Sequence, residues 1–239
     1  MRYIWGAGTD TGMVREHNED SLYPAVAGSS EGPELFMVAD GMGGAVAGEV
    51  ASRLAVEAAT KEPAEDSIDP VERVKAGNAA VILATEEDHS LSGMGTTLTM
   101  LRLDPDGSGV VAHVGDSRAY LLRDGELSQI TTDHSLVGEL VTLGKITKEE
   151  ARHHPHRHLV TRALGLGPIA VDTTDLTIQP GDRILLCSDG LTDMVPDAEI
   201  HDILASDEGV EPTVWTLIER ANAAGGVDNT TVVVIDATE

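Results

Sequence analysis

ELFMVADGMGG (residues 34–44) and GDRILLCSDG (residues 181–190) share one form: an apolar run of strand length ends at an aspartate followed by glycine. Residues 34–39 read as a short buried strand that stops at Asp40-Gly41-Met42-Gly43-Gly44. Residues 182–187 read as another, stopping at Ser188-Asp189-Gly190. A surface turn such as Asp124-Gly125 has polar flanks, whereas these two aspartates are driven out of interior strands. Three more acidic segments punctuate the chain: Asn18-Glu19-Asp20, Gly115-Asp116-Ser117 and Asp228-Asn229. Each alone is explained by the turn preference of Asp, Asn and Gly. Five together ask for a shared purpose.

Working outward, residues 3–8 form a first strand. Residues 46–60 are small and apolar with spaced charges, a helix with a close-packing face, and Pro63 follows it. Residues 69–88 form a second helix, started by Asp69 as N-cap and Pro70 in the first turn. Strands return at 96–103 and 109–114 around a turn at 104–107, then at 118–123 and 126–129 around Asp124-Gly125. Residues 133–151 read as helical, and residues 152–158 are rich in His and Arg. Together, residues 133–160 are expected to form a flap inserted between strands. Strands at 171–178 and 182–187, helices at 197–205 and 212–223, and a β-branched strand at 230–236 complete the chain. Strands lead, helices intervene in pairs, and hairpin-like turns favour antiparallel pairing, so the fold class is α+β with packed sheets. No repeat or linker interrupts residues 1–239, which are expected to form one domain.

The 239 residues are 41% hydrophobic and only 3% aromatic, so the core must be aliphatic. There are 41 acidic residues against 16 Lys and Arg, a formal charge of −25. That excludes bulk attraction to nucleic acid, which needs clustered positive charge. One cysteine, Cys187, allows no intrachain disulfide. Neither a signal peptide nor an apolar run long enough to span a bilayer is visible. The expectation is a cytoplasmic monomer, although a catalytic piece of a membrane-anchored chain would look the same.

Most of the acid excess serves solubility. The five punctuating segments suit hard divalent cations, which take carboxylate, carbonyl and water oxygens. Carboxylates at the ends of several strands can converge on a pair of ions about 3.5–4 Å apart, where a bridging oxygen can act as nucleophile. The glycines after Asp40 let a backbone carbonyl approach an ion. Arg15, inside TDTGMVREHNEDS (residues 9–21), offers a planar fork for a phosphate dianion.

In this order the segments resemble the type 2C, or PPM, family of metal-dependent Ser/Thr protein phosphatases, in its bacterial form. The resemblance rests on TDTGMVREHNEDS, VADGMGGAVAGEVAS, GMGTT, AHVGDSRAYLLRDGEL, TDHSL, HPHRHLVTRALG, GDRILLCSDGLTD and DNTTVVVI, spanning residues 9–235. It implies an α-β-β-α sandwich of two antiparallel sheets flanked by helices, with the metals in a cleft at one end of the sheets. It implies that Asp40 bridges two catalytic Mn²⁺ or Mg²⁺ ions, that the Gly41 carbonyl binds one, and that Asp189 and Asp228 bind the other. Glu19 and Asp20 match positions acting through metal-bound water. Asp116 matches a position that, with Asp189, can hold a third ion. Arg15 is implied to grip the substrate phosphate. Residues 161–165 are implied to close the flap back onto the sheets.

The implied reaction is hydrolysis of phosphoserine and phosphothreonine on proteins by a metal-bridging hydroxide, without a phosphoenzyme, in opposition to Ser/Thr kinases. Cys187 lacks a CxxxxxR loop and reads as a core thiol. Animal members carry His after the bridging Asp-Gly; here that position is Met42, so the leaving-group proton needs another source, for which His134 and His154 are candidates. His153, His154, His156 and His158 suggest zinc, but Pro155 breaks any helical face and no HExxH or cysteine pair accompanies them. A two-metal nuclease is disfavoured by the charge. A calcium-storage protein lacks an EF-hand loop. The alternative retained is a catalytically weak phosphoprotein-binding module on the same fold.

Overall fold

The computed structural model describes residues 1–61 and 69–239. Pro63 lies outside the described residues. Among the described residues, twelve strands build two antiparallel sheets. In the first, β3 (Gly28–Ser30), β1 (Arg2–Asp10), β12 (Thr230–Thr238), β11 (Arg183–Cys187), β8 (Arg118–Arg123) and β9 (Glu126–Gln129) lie side by side in that order. In the second the order is β10 (Asp172–Thr177), β7 (Ser108–Val114), β6 (Leu98–Leu103), β4 (Glu34–Met42) and β2 (Asp20–Tyr23), with the two-residue β5 (Gly95–Thr96) paired to the end of β4.

Three apolar layers explain the stacking. Between the sheets lie Tyr3, Trp5, Phe36, Val38, Leu101, Ile184, Leu186, Val233 and Ile235. The alternate residues of the same strands face outward: Leu185, Cys187, Val232 and Val234 pack beneath α6 (Asp197–Leu204) and α7 (Val210–Ala223). On the second sheet Met37, Ala39, Leu98, Met100 and Ala112 pack beneath α1 (Ala45–Thr60) and α2 (Pro70–Glu87). This accounts for the unbroken apolar run Ile184–Cys187: with period two and both faces covered, neither parity can be polar. Each fully buried aliphatic side chain contributes about 1.5–3 kcal/mol. Helix α7 turns Val210, Val214, Leu217, Ile218 and Ala221 inward at helical spacing. Helix α1 presents Ala51, Ala55 and Ala59, so it lies close against the sheet. The architecture is the expected α-β-β-α sandwich.

Three expectations need correction. β4 does not stop at Asp40; it runs on through Met42, because Gly41 and Met42 pair with Thr96 and Gly95. Residues 133–151 are not one helix. α3 (Leu136–Thr142) ends before Gly144 at φ 65°, and α4 (Lys148–Arg152) restarts behind a Thr147–Glu150 capping box. The acidic segments are not all strand ends either. Asp20 opens β2; Asp189 follows the end of β11, as expected, and also opens the short helix α5 (Asp189–Thr192).

Candidate metal centre

The acidic segments meet because of strand direction. In the first sheet β1 and β11 end, and β12 and β8 begin, at the same edge; Asp10 pairs with Thr230 and Cys187 with both Val232 and Arg118. In the second sheet Asp20 begins β2 directly opposite Asp40 of β4. Asp116 sits on the turn that carries the chain from β7 in one sheet to β8 in the other.

Asp40 and Asp189 are half-buried. Burial raises the Asp40 carboxyl well above the ordinary range, and the charges of Asp20, Asp189 and Asp116 raise it further. Burial likewise raises Asp189, with Asp116, Asp193 and Asp228 adding to it. Asp116 is pushed up to about 7, first by burial and then by Asp133. Asp20 is pushed up to about 6 by burial, against the hydroxyls of Thr231 and Ser188, which donate to its Oδ2 at 2.6 and 2.8 Å. Glu19 is raised by burial as well.

Backbone geometry locks these acids in place. The Glu19 amide donates to Asn229 Oδ1 at 2.8 Å, while Asn229 Nδ2 donates to the carbonyls of Thr11 and His17 at 2.8 and 2.9 Å. A Cβ on Gly41 would lie 2.1 Å from the Gly48 carbonyl oxygen, so no other residue fits there. Arg15 lies at the edge, its side chain about half exposed. It donates from Nη2 to Asp228 Oδ2 at 2.7 Å, with Glu19 at 3.8 Å. Burial works against its charge, and Asp228, Glu19 and Asp40 outweigh that.

The donor set fits hard divalent cations. It is all oxygen, and it leaves Glu19 Oε1 and Asp20 Oδ1 buried with no hydrogen-bond partner. The carboxylates do not all converge on one point. Among the described residues the group whose ligand atoms lie within 4.8 Å of one another is His158, Asp189 and Asp193, not Asp40, Asp189 and Asp228. Ligands spread over two ions need not share so small a sphere.

The sequence reading missed Asp193, and it missed Ser188, Thr231 and the Asn229 amide as supports. Single hydroxyls and amides carry no pattern. The four flap histidines do not assemble: His153 bonds Glu149, His154 accepts from the His156 amide, and His158 meets Asp193. His134 is buried, with Nδ1 on the Gly115 amide and Nε2 against Asp172, and Met42 stands where animal members carry His. The Thr161 N–H donates to the His134 carbonyl, and Leu164 bridges to Thr96.

A profile of the protein phosphatase 2C family matches residues 8–228. The chain belongs to the protein phosphatase 2C family. It is 46% identical to the serine/threonine protein phosphatase PstP of Mycobacterium tuberculosis across 100% of its own length and 45% of that protein's. It is 41% identical to the serine/threonine phosphatase stp of Listeria welshimeri over 95% of the chain and 93% of that protein. The chain therefore spans less than half of PstP but nearly all of the Listeria relative. The crystal structure of the M. tuberculosis phosphatase superposes with a TM-score of 0.90 at 44% identity, each chain fully covered. A second PstP structure, its catalytic domain in complex with two manganese ions, superposes at 0.88 with 43% identity, again with full coverage. Among the described residues no helix is long and apolar enough to cross a membrane.

Proposed function

We propose that this chain hydrolyses phosphoserine and phosphothreonine on proteins, with Mn²⁺ or Mg²⁺ held by Asp40, the Gly41 carbonyl, Asp189 and Asp228. Asp20 and Glu19 act through ordered water, and Asp116 with Asp189 offers a third position. The observation that carries this reading is the cluster of buried and half-buried carboxylates with displaced proton affinities, two of whose oxygens have no partner. When bound, divalent cations supply Lewis-acid activation of water and neutralise charge on the phosphoryl oxygens. The chain's own groups do the rest. Arg15 is exposed enough to turn its fork from Asp228 to a substrate phosphate and orient it. Thr97 keeps Asp40 in register by accepting its amide proton at 2.9 Å. Direct displacement without a phosphoenzyme is favoured by Cys187: fully buried, its thiol is pushed up to about 12 and cannot be the nucleophile. On this reading the partners are phosphorylated proteins, a Ser/Thr kinase among them. The protein acts in the cytoplasm, where ATP-dependent kinases phosphorylate their targets.

The test is hydrolysis of a phosphothreonine peptide with Mn²⁺, with EDTA, and by Asp40→Asn. Turnover that requires Mn²⁺ and vanishes in the variant supports the proposal. A folded, Mn²⁺-loaded wild type that binds the phosphopeptide without hydrolysing it would establish the binding-module alternative instead.

A further inference from the structure

The turn Gly115-Asp116-Ser117 is braced from two sides. On one side Ser117 is held by Thr97 and Thr99: the Thr97 and Ser117 hydroxyls lie 2.8 Å apart, and Thr99 Oγ1 donates to the Ser117 carbonyl at 3.1 Å. Thr99 also meets His113 Nδ1 at 2.9 Å. On the other side is His134, 4% exposed, its ring centroid 4.8 Å from that of His113. His134 and Gly115 exchange two bonds. The His134 amide donates to the Gly115 carbonyl at 2.7 Å, and the Gly115 amide donates to His134 Nδ1 at 3.1 Å.

An imidazole nitrogen that accepts carries no proton, so Nδ1 is the acceptor side of the ring. Nε2 lies between Asp172 Oδ2 at 3.1 Å and Arg162 Nη1 at 3.2 Å, and Arg162 Nη1 also donates to Asp172 Oδ1 at 3.0 Å. The flap closes on the same residue. The His134 carbonyl accepts from the Thr161 amide at 2.7 Å, and Ser135 bridges to Val160. Gly115 has φ 118°, and the Thr97 side chain lies 2.5 Å from where its Cβ would be, so the turn has no room to relax.

We infer that His134 is a positioning residue for the cation centre, its imidazole fixing the backbone that carries Asp116 and joining that carboxylate rigidly to the base of the flap. This rests on the proposed role of Asp116 in holding an ion, and hence on the phosphatase reading. His134 touches neither substrate nor ion; it acts through the Gly115 amide. The two ring nitrogens have separable duties. Asparagine places an amide oxygen where Nδ1 stands and can accept from Gly115. Glutamine reaches the place of Nε2 and can serve only Asp172.

The experiment titrates Mn²⁺ into the whole chain and its variants, counting bound ions by the paramagnetic resonance of free Mn²⁺. Melting temperature and the Mn²⁺ needed for half-maximal hydrolysis of a phosphothreonine peptide are recorded alongside. The ion missing from Asp116→Asn identifies the one concerned. His134→Gln should weaken that ion about tenfold, the loss typical when a group supporting a ligand is removed. His134→Asn should hold it as the wild type does. Equal weakening in Asn and Gln, no weakening in either, or an Asp116→Asn protein that binds as many ions as the wild type would each overturn the inference. If His134→Gln does not fold, Asp172→Ala on the exposed strand β10 takes its place. A smaller loss is expected there, because the ring loses its carboxylate anchor at Nε2, and an unchanged Mn²⁺ curve overturns the inference. Ion counting needs no turnover, so an inactive wild type would sink the phosphatase reading and still leave the role of His134 open to test.

Discussion

Replacing Asp116 with asparagine should make the metal-free protein more stable. The carboxyl is 7% exposed and displaced to about 7, by burial first and Asp133 second. An acid whose folded value lies above its unfolded one holds its proton longer in the folded state. The stability it contributes is therefore present at low pH and lost as pH climbs from about 4 to about 7. A displacement of this size corresponds to about 4 kcal/mol above pH 8. Burying an imperfectly paired amide takes back roughly 1–2 kcal/mol, so a net gain of about 2–3 kcal/mol is expected. In a chain of 239 residues that is a rise in Tm of roughly 4–12 °C. The assay is thermal unfolding of wild type and Asp116→Asn in EDTA at pH 8.5 and at pH 4. The variant should melt higher at pH 8.5 and level with the wild type at pH 4. Saturating Mn²⁺ should shrink or reverse the difference, because the wild type gains an ion the variant cannot hold. Equal melting at pH 8.5, or a gain that persists unchanged at pH 4, would refute the reasoning.

Three further outcomes are expected. In EDTA the wild type should lose stability as pH climbs from about 4 to about 7, since Asp20 and Asp116, displaced to about 6 and about 7, must ionise within the folded centre; Mn²⁺ should reverse that slope, and a flat EDTA profile would contradict it. Arg15→Lys keeps the charge but loses the fork, and should lower kcat/KM on a phosphothreonine peptide about 10–100-fold, an equal value in the two proteins counting against a phosphate-gripping role. Asp182→Ala strips Arg123 and the Gln179 amide of a carboxylate that is 2% exposed, and should cost about 3 kcal/mol in urea unfolding while leaving the Mn²⁺ dependence alone; a loss under 1 kcal/mol would show that solvent already screens the pair.

What the sequence made legible follows from range. Ile184–Cys187 and Val232–Ile235 announce interior strands because every position is apolar. Asp69-Pro70 announces a helix start because capping is local. The passage of β4 through Asp40 and Gly41 was hidden, since it depends on pairing with Gly95 and Thr96 more than fifty residues away. β3, made of Gly28, Ser29 and Ser30, has no strand signature and exists because β1 offers it an edge. In the centre, aspartates beside glycine could be picked out by their apolar approach. Ser188, Thr231 and Asn229 could not, because a hydroxyl or amide acquires its task only when two sheets bring it to Asp20 and Glu19.

Asp20 and Asp40 ride on one sheet, Asp189 and Asp228 on the other, and Asp116 on the strap between them. The aliphatic filling between the sheets thus works as a shim whose thickness sets the gap between opposing ligands. Trimming Phe36 or Leu186, buried in that filling, would reach the centre as a change of spacing rather than of chemistry. Selectivity between Mn²⁺ and the smaller, stricter Mg²⁺ could then be tuned from the greasy interior, with every ligand left in place.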